Sequence, residues 1–161
     1  MESIRFRTVL RTLVDHGVEF IVVGGVAAVL VGAPINTFDL DIVHSRDPEN
    51  IARLLAALRE LEACYRHHPQ RPTPSESHLA SDGHQLLMTR YGPLDVLGKI
   101  GKGWAYPDLL PHSCVQELSA DLRLRVLDLE TQIVIKEETD RDKDRATLLI
   151  LRAVLDETRK K

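Results

Sequence analysis

Apolar side chains recur along this chain at two spacings, every three to four residues and every second residue, and the switches between the two lay out its elements. Phe6, Val9, Leu10, Leu13 and Val14 share one face of a helix over roughly residues 3–15, with Gly17 as its stop. VEFIVV, residues 18–23, is short, β-rich and continuously apolar toward its end, as a buried strand is. Gly24-Gly25 breaks that run, and VAAVLV forms a short helix before Gly32-Ala33-Pro34. FDLDIV, residues 38–43, alternates from its start and reads as a second strand. Asp47-Pro48 is a cap and first-turn pair for a helix whose stripe is Ile51, Leu54, Leu55, Leu58 and Leu61.

Residues 67–83, rich in Pro, Ser and His, read as a long loop. HQLLMTR and PLDVL then read as two strands joined through Tyr91-Gly92 in a hairpin-like pair. Residues 98–111, with their glycines and prolines around Trp104, are expected to be irregular. Leu122, Leu124 and Val126 alternate with Arg123 and Arg125 as in a half-buried strand. Asp128 is placed to cap a helix running through Ile135 and Lys136, and a charged helix runs from about Asp142 to about Glu157. No internal repeat or linker interrupts the series. It predicts an α/β (α+β) domain over residues 1–161, a mixed sheet flanked by helices in which 18–23, 38–43 and 93–97 are neighbouring strands.

Composition changes this picture little. With 161 residues and 43% apolar content, one core is enough. Cys64 and Cys114 stand far apart with no zinc-ligand spacing and read as ordinary thiols. The charged N-terminal helix is unlike a signal peptide, and no run approaches the ~20 apolar residues of a membrane span, so the expected compartment is the cytoplasm, with no membrane partner. A net charge of -3 neither selects nor excludes RNA.

Candidate chemistry concentrates in GGVAAVLVGAPINTFDLDIV, residues 24–43. On a strand, Asp39 and Asp41 project to one face, about 6–7 Å apart along the chain, while Leu40 and Ile42 face the other way. Paired carboxylates repel each other, and Mg²⁺ takes hard oxygen ligands, commonly one or two carboxylates plus substrate phosphates. The same Asp-x-Asp on a solvated strand face needs no metal. Gly24-Gly25 stands where a strand becomes a helix, so the backbone can approach a ligand closely and present N–H groups to phosphate. A tight turn without a ligand has the same sequence. Asp95 lies in an apolar strand, where a carboxylate needs a reason, and it joins the same face if that strand pairs beside 38–43.

Gly-Gly, a short helix, Asp-x-Asp and a third Asp on a later strand resemble the signature of nucleotidyltransferases of the DNA polymerase beta superfamily. The likeness is nearer to small bacterial members, including those related to abortive-infection and toxin-antitoxin systems, where a helix Lys is followed by Lys-Asp, as Lys136 and Lys143-Asp144 are here. The resemblance implies a nucleoside triphosphate (NTP) substrate. Gly24 and Gly25 would bind its phosphates, Asp39 and Asp41 would hold Mg²⁺, and Asp95 would share a metal and help to activate the attacking hydroxyl. Lys136 or Lys143 would contact the triphosphate. The acceptor would be a hydroxyl of RNA, protein or a small molecule, and a toxin or antitoxin partner is implied. Two departures stand out: Val26 replaces the hydroxyl residue that often follows the glycines, and Ile35 and Asn36 stand where a basic residue often precedes Asp-x-Asp.

GKIGKGW, residues 98–104, lacks P-loop spacing and is at most a substrate-positioning loop. His67, His68, His78 and His84 match no metal motif and read as solvated loop residues, and DRDKDR reads as a solvated helix start. Three readings remain: a Mg²⁺-dependent nucleotidyltransferase, which the carboxylates favour; a degenerate fold acting as an antitoxin or complex partner, which Val26 and Ile35 favour; and an unrelated α/β domain whose carboxylates fall together by chance.

Overall fold

A computed structural model describes residues 2–37, 39–139 and 141–160. Among them α1 (Glu2–Asp15), β1 (Phe20–Val23), α2 (Gly24–Leu30), β2 (Leu40–His44) and α3 (Pro48–Glu60) form the first half. Then come β3 (Cys64–Tyr65), α4 (Glu76–Ala80), β4 (His84–Thr89), β5 (Gly92–Leu97), β6 (Lys99–Ile100) and β7 (Trp104–Ala105). The chain closes with α5 (Tyr106–Leu109), a 3-10 turn (Leu110–His112), β8 (Ser113–Ser119), β9 (Leu122–Leu127), α6 (Leu129–Thr139) and α7 (Asp142–Arg159). The principal sheet is mixed, in the order β3-β4-β5-β2-β1-β9-β8. β1 runs antiparallel to β2 and parallel to β9, and β2 runs parallel to β5. The predicted neighbours are therefore adjacent in the order 93–97, 38–43, 18–23, although Phe38 lies outside the described residues.

Period-2 alternation assigns the two faces of the sheet. Leu40, Ile42, Leu94, Val96, Val22 and Val126 face α1 and α3 in the largest apolar cluster, with Leu10, Leu54 and Leu58. Burying each such Leu or Ile stabilises the fold by about 1.5–3 kcal/mol relative to exposure, which pins the backbone of β2 and β5. The alternate residues Val23, Val43, Leu97 and Leu127 face the other way, against Leu109 of α5 and Ile135 of α6. Asp41 and Asp95 belong to this second set. A third cluster joins Ala28 of α2 to Leu129 and Ile133 of α6 and to Leu148 and Leu151 of α7.

Several boundaries differ from the sequence expectation. The loop over 67–83 contains α4, held by a capping box in which the Ser75 hydroxyl accepts from the His78 N–H and His78 Nδ1 accepts from the Ser75 N–H. Residues 98–111 contain the β6–β7 hairpin and α5. Neither β3 nor β8 was expected: β3 spans two residues, and β8 is an edge strand with Cys114, Val115 and Glu117 exposed, so it lacks a buried alternation. α2 starts at Gly24, two residues early. Asp47 stands at the cap position of α3, but its carboxylate makes no capping bond. Asp128 does cap: its Oδ1 accepts from the Thr131 N–H at 2.8 Å. At the end of α1, Gly17 adopts φ +72, the left-handed value that closes a helix.

Candidate active site

β2 and β5 carry Asp41 and Asp95 as direct register partners on adjacent parallel strands, and Val23 at the end of β1 is the partner of Asp41 on the other side. β1 ends there, and Gly24 follows at φ +67, where a Cβ would overlap Asp41 Oδ2. Glycine is thus required twice at this point, by backbone conformation and by the carboxylate lying against it. At Gly25 a Cβ would fall 2.5 Å from the Thr37 hydroxyl oxygen. The double glycine lets the β1–α2 turn pass between Asp41 and Thr37.

Above these residues opens a cleft of about 750 Å³ that brings together every candidate residue of the sequence reading: Gly24, Gly25, Asp39, Asp41, Asp95, Lys136 and Lys143. This volume lies within the ordinary range of small-molecule sites. Asp39 is exposed and precedes β2, so it approaches from the rim while Asp41 and Asp95 form the floor. The Asp41 carboxyl is pushed up to about 8 by burial, then by the charge of Asp95 and a hydrogen bond shared with it, and by Asp39; the Arg66 charge pulls the other way. Among the described residues no three His, Cys, Asp or Glu side chains converge closely enough to hold a metal ion by themselves. The donor set nonetheless suits Mg²⁺, which takes one or two carboxylates and completes its shell with water and phosphate oxygens. A cation would relieve the crowding of Asp41 against Asp95, and the missing Cβ at Gly24 leaves room for Asp41 Oδ2 against the turn.

α6 and α7 form the opposite wall. Asp144, buried, accepts from Lys136 Nζ at 3.3 Å and from Arg141 Nε at 2.8 Å. Burial pushes its carboxyl up, but Arg141 and Lys136 outweigh this and hold it below the usual range. Trp104 Nε1 donates to Glu138 Oε1 at 2.9 Å, tying the β6–β7 hairpin to α6 and carrying Ile100, Gly101 and Lys102 into the cleft lining. His84 of β4 completes the rim, its Nε2 2.8 Å from the Lys99 carbonyl. His84 and Lys102 thus lie on the cleft although the sequence reading discounted the first and gave the second only a positioning role, whereas His67, His68 and His78 do not line it.

Sequence reasoning missed Arg66 and Arg141. Arg66 Nη1 donates to Asp95 Oδ1 at 2.6 Å and to the Leu87 carbonyl at 3.0 Å. It lies in a polar stretch 29 residues from its partner, so no local spacing announces it. Arg141 sits within DRDKDR, whose mixed charge matches a solvated helix start; Asp140 of that run lies outside the described residues. The two departures from the family signature also have structural reasons. Val26 is buried in the largest apolar cluster, and Ile35 packs on the cluster that joins α2, α6 and α7.

No family model and no curated protein matches the sequence. Solved structures do resemble the fold, among them the following two. A Thermotoga maritima protein described as a candidate nucleotidyltransferase superposes with a TM-score of 0.57 at 18% identity, covering 94% of this chain and 91% of that one. The lincosamide antibiotic adenylyltransferase LnuA, with lincomycin bound, gives 0.63 at 13% identity, covering 93% and 96%. At these identities the likeness establishes a nucleotidyltransferase-like fold, a mixed sheet flanked by helices, over nearly the whole chain. The roles of individual residues require their own argument.

Proposed function

We propose that this chain is a Mg²⁺-dependent nucleotidyltransferase that moves a nucleoside monophosphate from an NTP to a hydroxyl acceptor. The observation that carries the reading is the register of Asp41 against Asp95, with Gly24 backed onto Asp41, at the floor of a cleft whose far wall bears Lys136, Arg141 and Lys143. Acids on one side and cations on the other suit a triphosphate that arrives with a divalent ion.

In this reading Asp39 and Asp41 hold Mg²⁺, and Gly24 and Gly25 let the triphosphate lie against the backbone. Lys136 and Lys143 bind its non-bridging oxygens, with Lys136 aimed by Asp144. Asp95 completes the carboxylate set on the acceptor side and takes the proton of the attacking hydroxyl. The new bond forms between the acceptor oxygen and the α-phosphorus, the α–β bridge breaks, and pyrophosphate leaves along the cationic wall. When bound, Mg²⁺ supplies neutralisation of the charge that develops on the entering and leaving oxygens. The chain's own residues supply orientation, which in-line transfer depends on.

Among RNA, protein and small molecules as acceptor, the fold shared with an adenylyltransferase of lincosamide antibiotics favours a small hydroxylated molecule. A second reading, a degenerate fold that binds a toxin or antitoxin partner without turnover, draws on the Arg66–Asp95 ion pair, which occupies one carboxylate oxygen. In either reading the chain acts as one domain in the cytoplasm; among the described residues no helix is long and apolar enough to cross a membrane. Incubation with each α-labelled NTP, Mg²⁺ and separate pools of small molecules, RNA and protein decides: label and pyrophosphate should appear together, in the small-molecule pool. Label in another pool would replace the acceptor, and label in none would favour the binding module.

A further inference from the structure

Arg66 follows β3, at the sheet edge, and its side chain crosses β4 to reach β5. Three bonds fix it: its backbone N–H donates to the Leu86 carbonyl at 3.2 Å, and its Nη1 donates to the Leu87 carbonyl and to Asp95 Oδ1. The side chains of Arg66 and Asp95 are only 15% and 13% exposed. A guanidinium so held does not itself line the cleft; it is fixed behind Asp95, and its charge reaches Asp41. Removing it from Asp95 would leave a buried cation unpaired beside β4, which is costly.

The charge count at the floor follows. Once a bound cation has displaced the Asp41 proton, Asp39, Asp41 and Asp95 bring three negative charges and Arg66 returns one positive charge, leaving the equivalent of a single divalent cation to be balanced. A second divalent ion on Asp95 would have to share the carboxylate with the guanidinium at close range. The three carboxylates also fail to converge on one point, with Asp39 at the rim and Asp95 drawn toward Arg66.

We infer that Arg66 is a built-in second cation: it takes the place of one of the two divalent ions that three carboxylates could recruit, so the cleft holds a single divalent ion, with its nucleotide, between Asp39 and Asp41. Asp95 then serves the acceptor hydroxyl, whose proton it takes, rather than acting as a metal ligand. This rests on the nucleotidyltransferase reading of the cleft.

Manganese reports the count directly, because two Mn²⁺ about 4 Å apart, as in two-metal sites, couple magnetically and lose the resolved spectrum of an isolated ion. The full chain is titrated with Mn²⁺ in the presence of a non-hydrolysable NTP analogue and followed by paramagnetic resonance. The wild type should bind one uncoupled Mn²⁺ per bound nucleotide. Arg66→Gln should bind a second, coupled to the first, and Arg66→Lys, which retains the charge, should remain at one. A coupled pair in the wild type would overturn the inference while leaving nucleotidyl transfer intact, and it can be read even if Arg66→Gln does not fold. A folded Arg66→Gln that still binds one ion would also overturn it. Failure of the wild type to bind any Mn²⁺-nucleotide would remove both this inference and the reading beneath it.

Discussion

Asp41 is where the fold and the chemistry pull against each other. Its carboxyl is pushed from an ordinary 3.8 up to about 8, chiefly by burial and by the charge of Asp95. Between those values the folded protein holds a proton that the unfolded chain has lost, so the stability of the metal-free protein must fall as pH rises across that window and level off above it. Thermal melts without divalent ions should show the highest Tm toward about pH 5 and the lowest toward about pH 9, and Asp41→Asn should flatten this slope. A slope of the same size in the variant would assign the proton elsewhere. Added Mg²⁺ should act against the slope, since a cation takes the proton's place. Gly24 gives a second residue-level test. Alanine there meets both the left-handed φ of +67, which alone costs about 1–2 kcal/mol, and the Asp41 carboxylate. Gly24→Ala should lower the unfolding free energy by at least that amount in urea titrations and weaken Mg²⁺-nucleotide binding. Unchanged stability would mean that the turn has relaxed away from Asp41.

Two elements, α6 and α7, hold the cationic wall through one buried acid. Asp144 links Lys136 of α6 to Arg141 and to its own helix α7, so replacing it by alanine leaves both cations without their partner. The expected loss of stability in urea titrations is about 1.5–3 kcal/mol, the usual range for a hydrogen bond to a charged group. KM for the NTP should rise more than kcat falls if, as proposed, the wall supplies ground-state binding. Equal falls in kcat and kcat/KM would instead place Lys136 in the transition state alone. Legibility in the sequence divides along related lines. β2, β5, β9, α1 and α3 were readable because each buries a periodic face, β1 because it is a short apolar run buried throughout, and Asp39, Asp41, Gly24 and Gly25 because their spacing is local. β3, α4 and the β6–β7 hairpin are too short for periodicity and are held by caps and pairings, while β8 is an exposed edge. Arg66 and Arg141 could not be read as site residues, since what defines them is a carboxylate brought near only by folding.

For the molecule as a whole, the fold resembles proteins only 13–18% identical to it, so what the chain shares with them is a scaffold, and chemistry must be argued from the cleft. The net charge of -3 conceals a division that matters more: carboxylates on the floor, and Lys102, Lys136, Arg141 and Lys143 around them. This arrangement is what we propose transfers a nucleotide. The most direct measurement is transfer of an α-phosphate label with Mg²⁺, with wild type and Asp41→Asn compared on the acceptor pool that accepts label. If Asp41 holds Mg²⁺ as proposed, its loss should cost several kcal/mol in the transition state, roughly 100-fold or more in rate. Transfer by wild type that falls at least that far in Asp41→Asn, with the variant still folded, is the predicted result; undiminished transfer by the variant would contradict it.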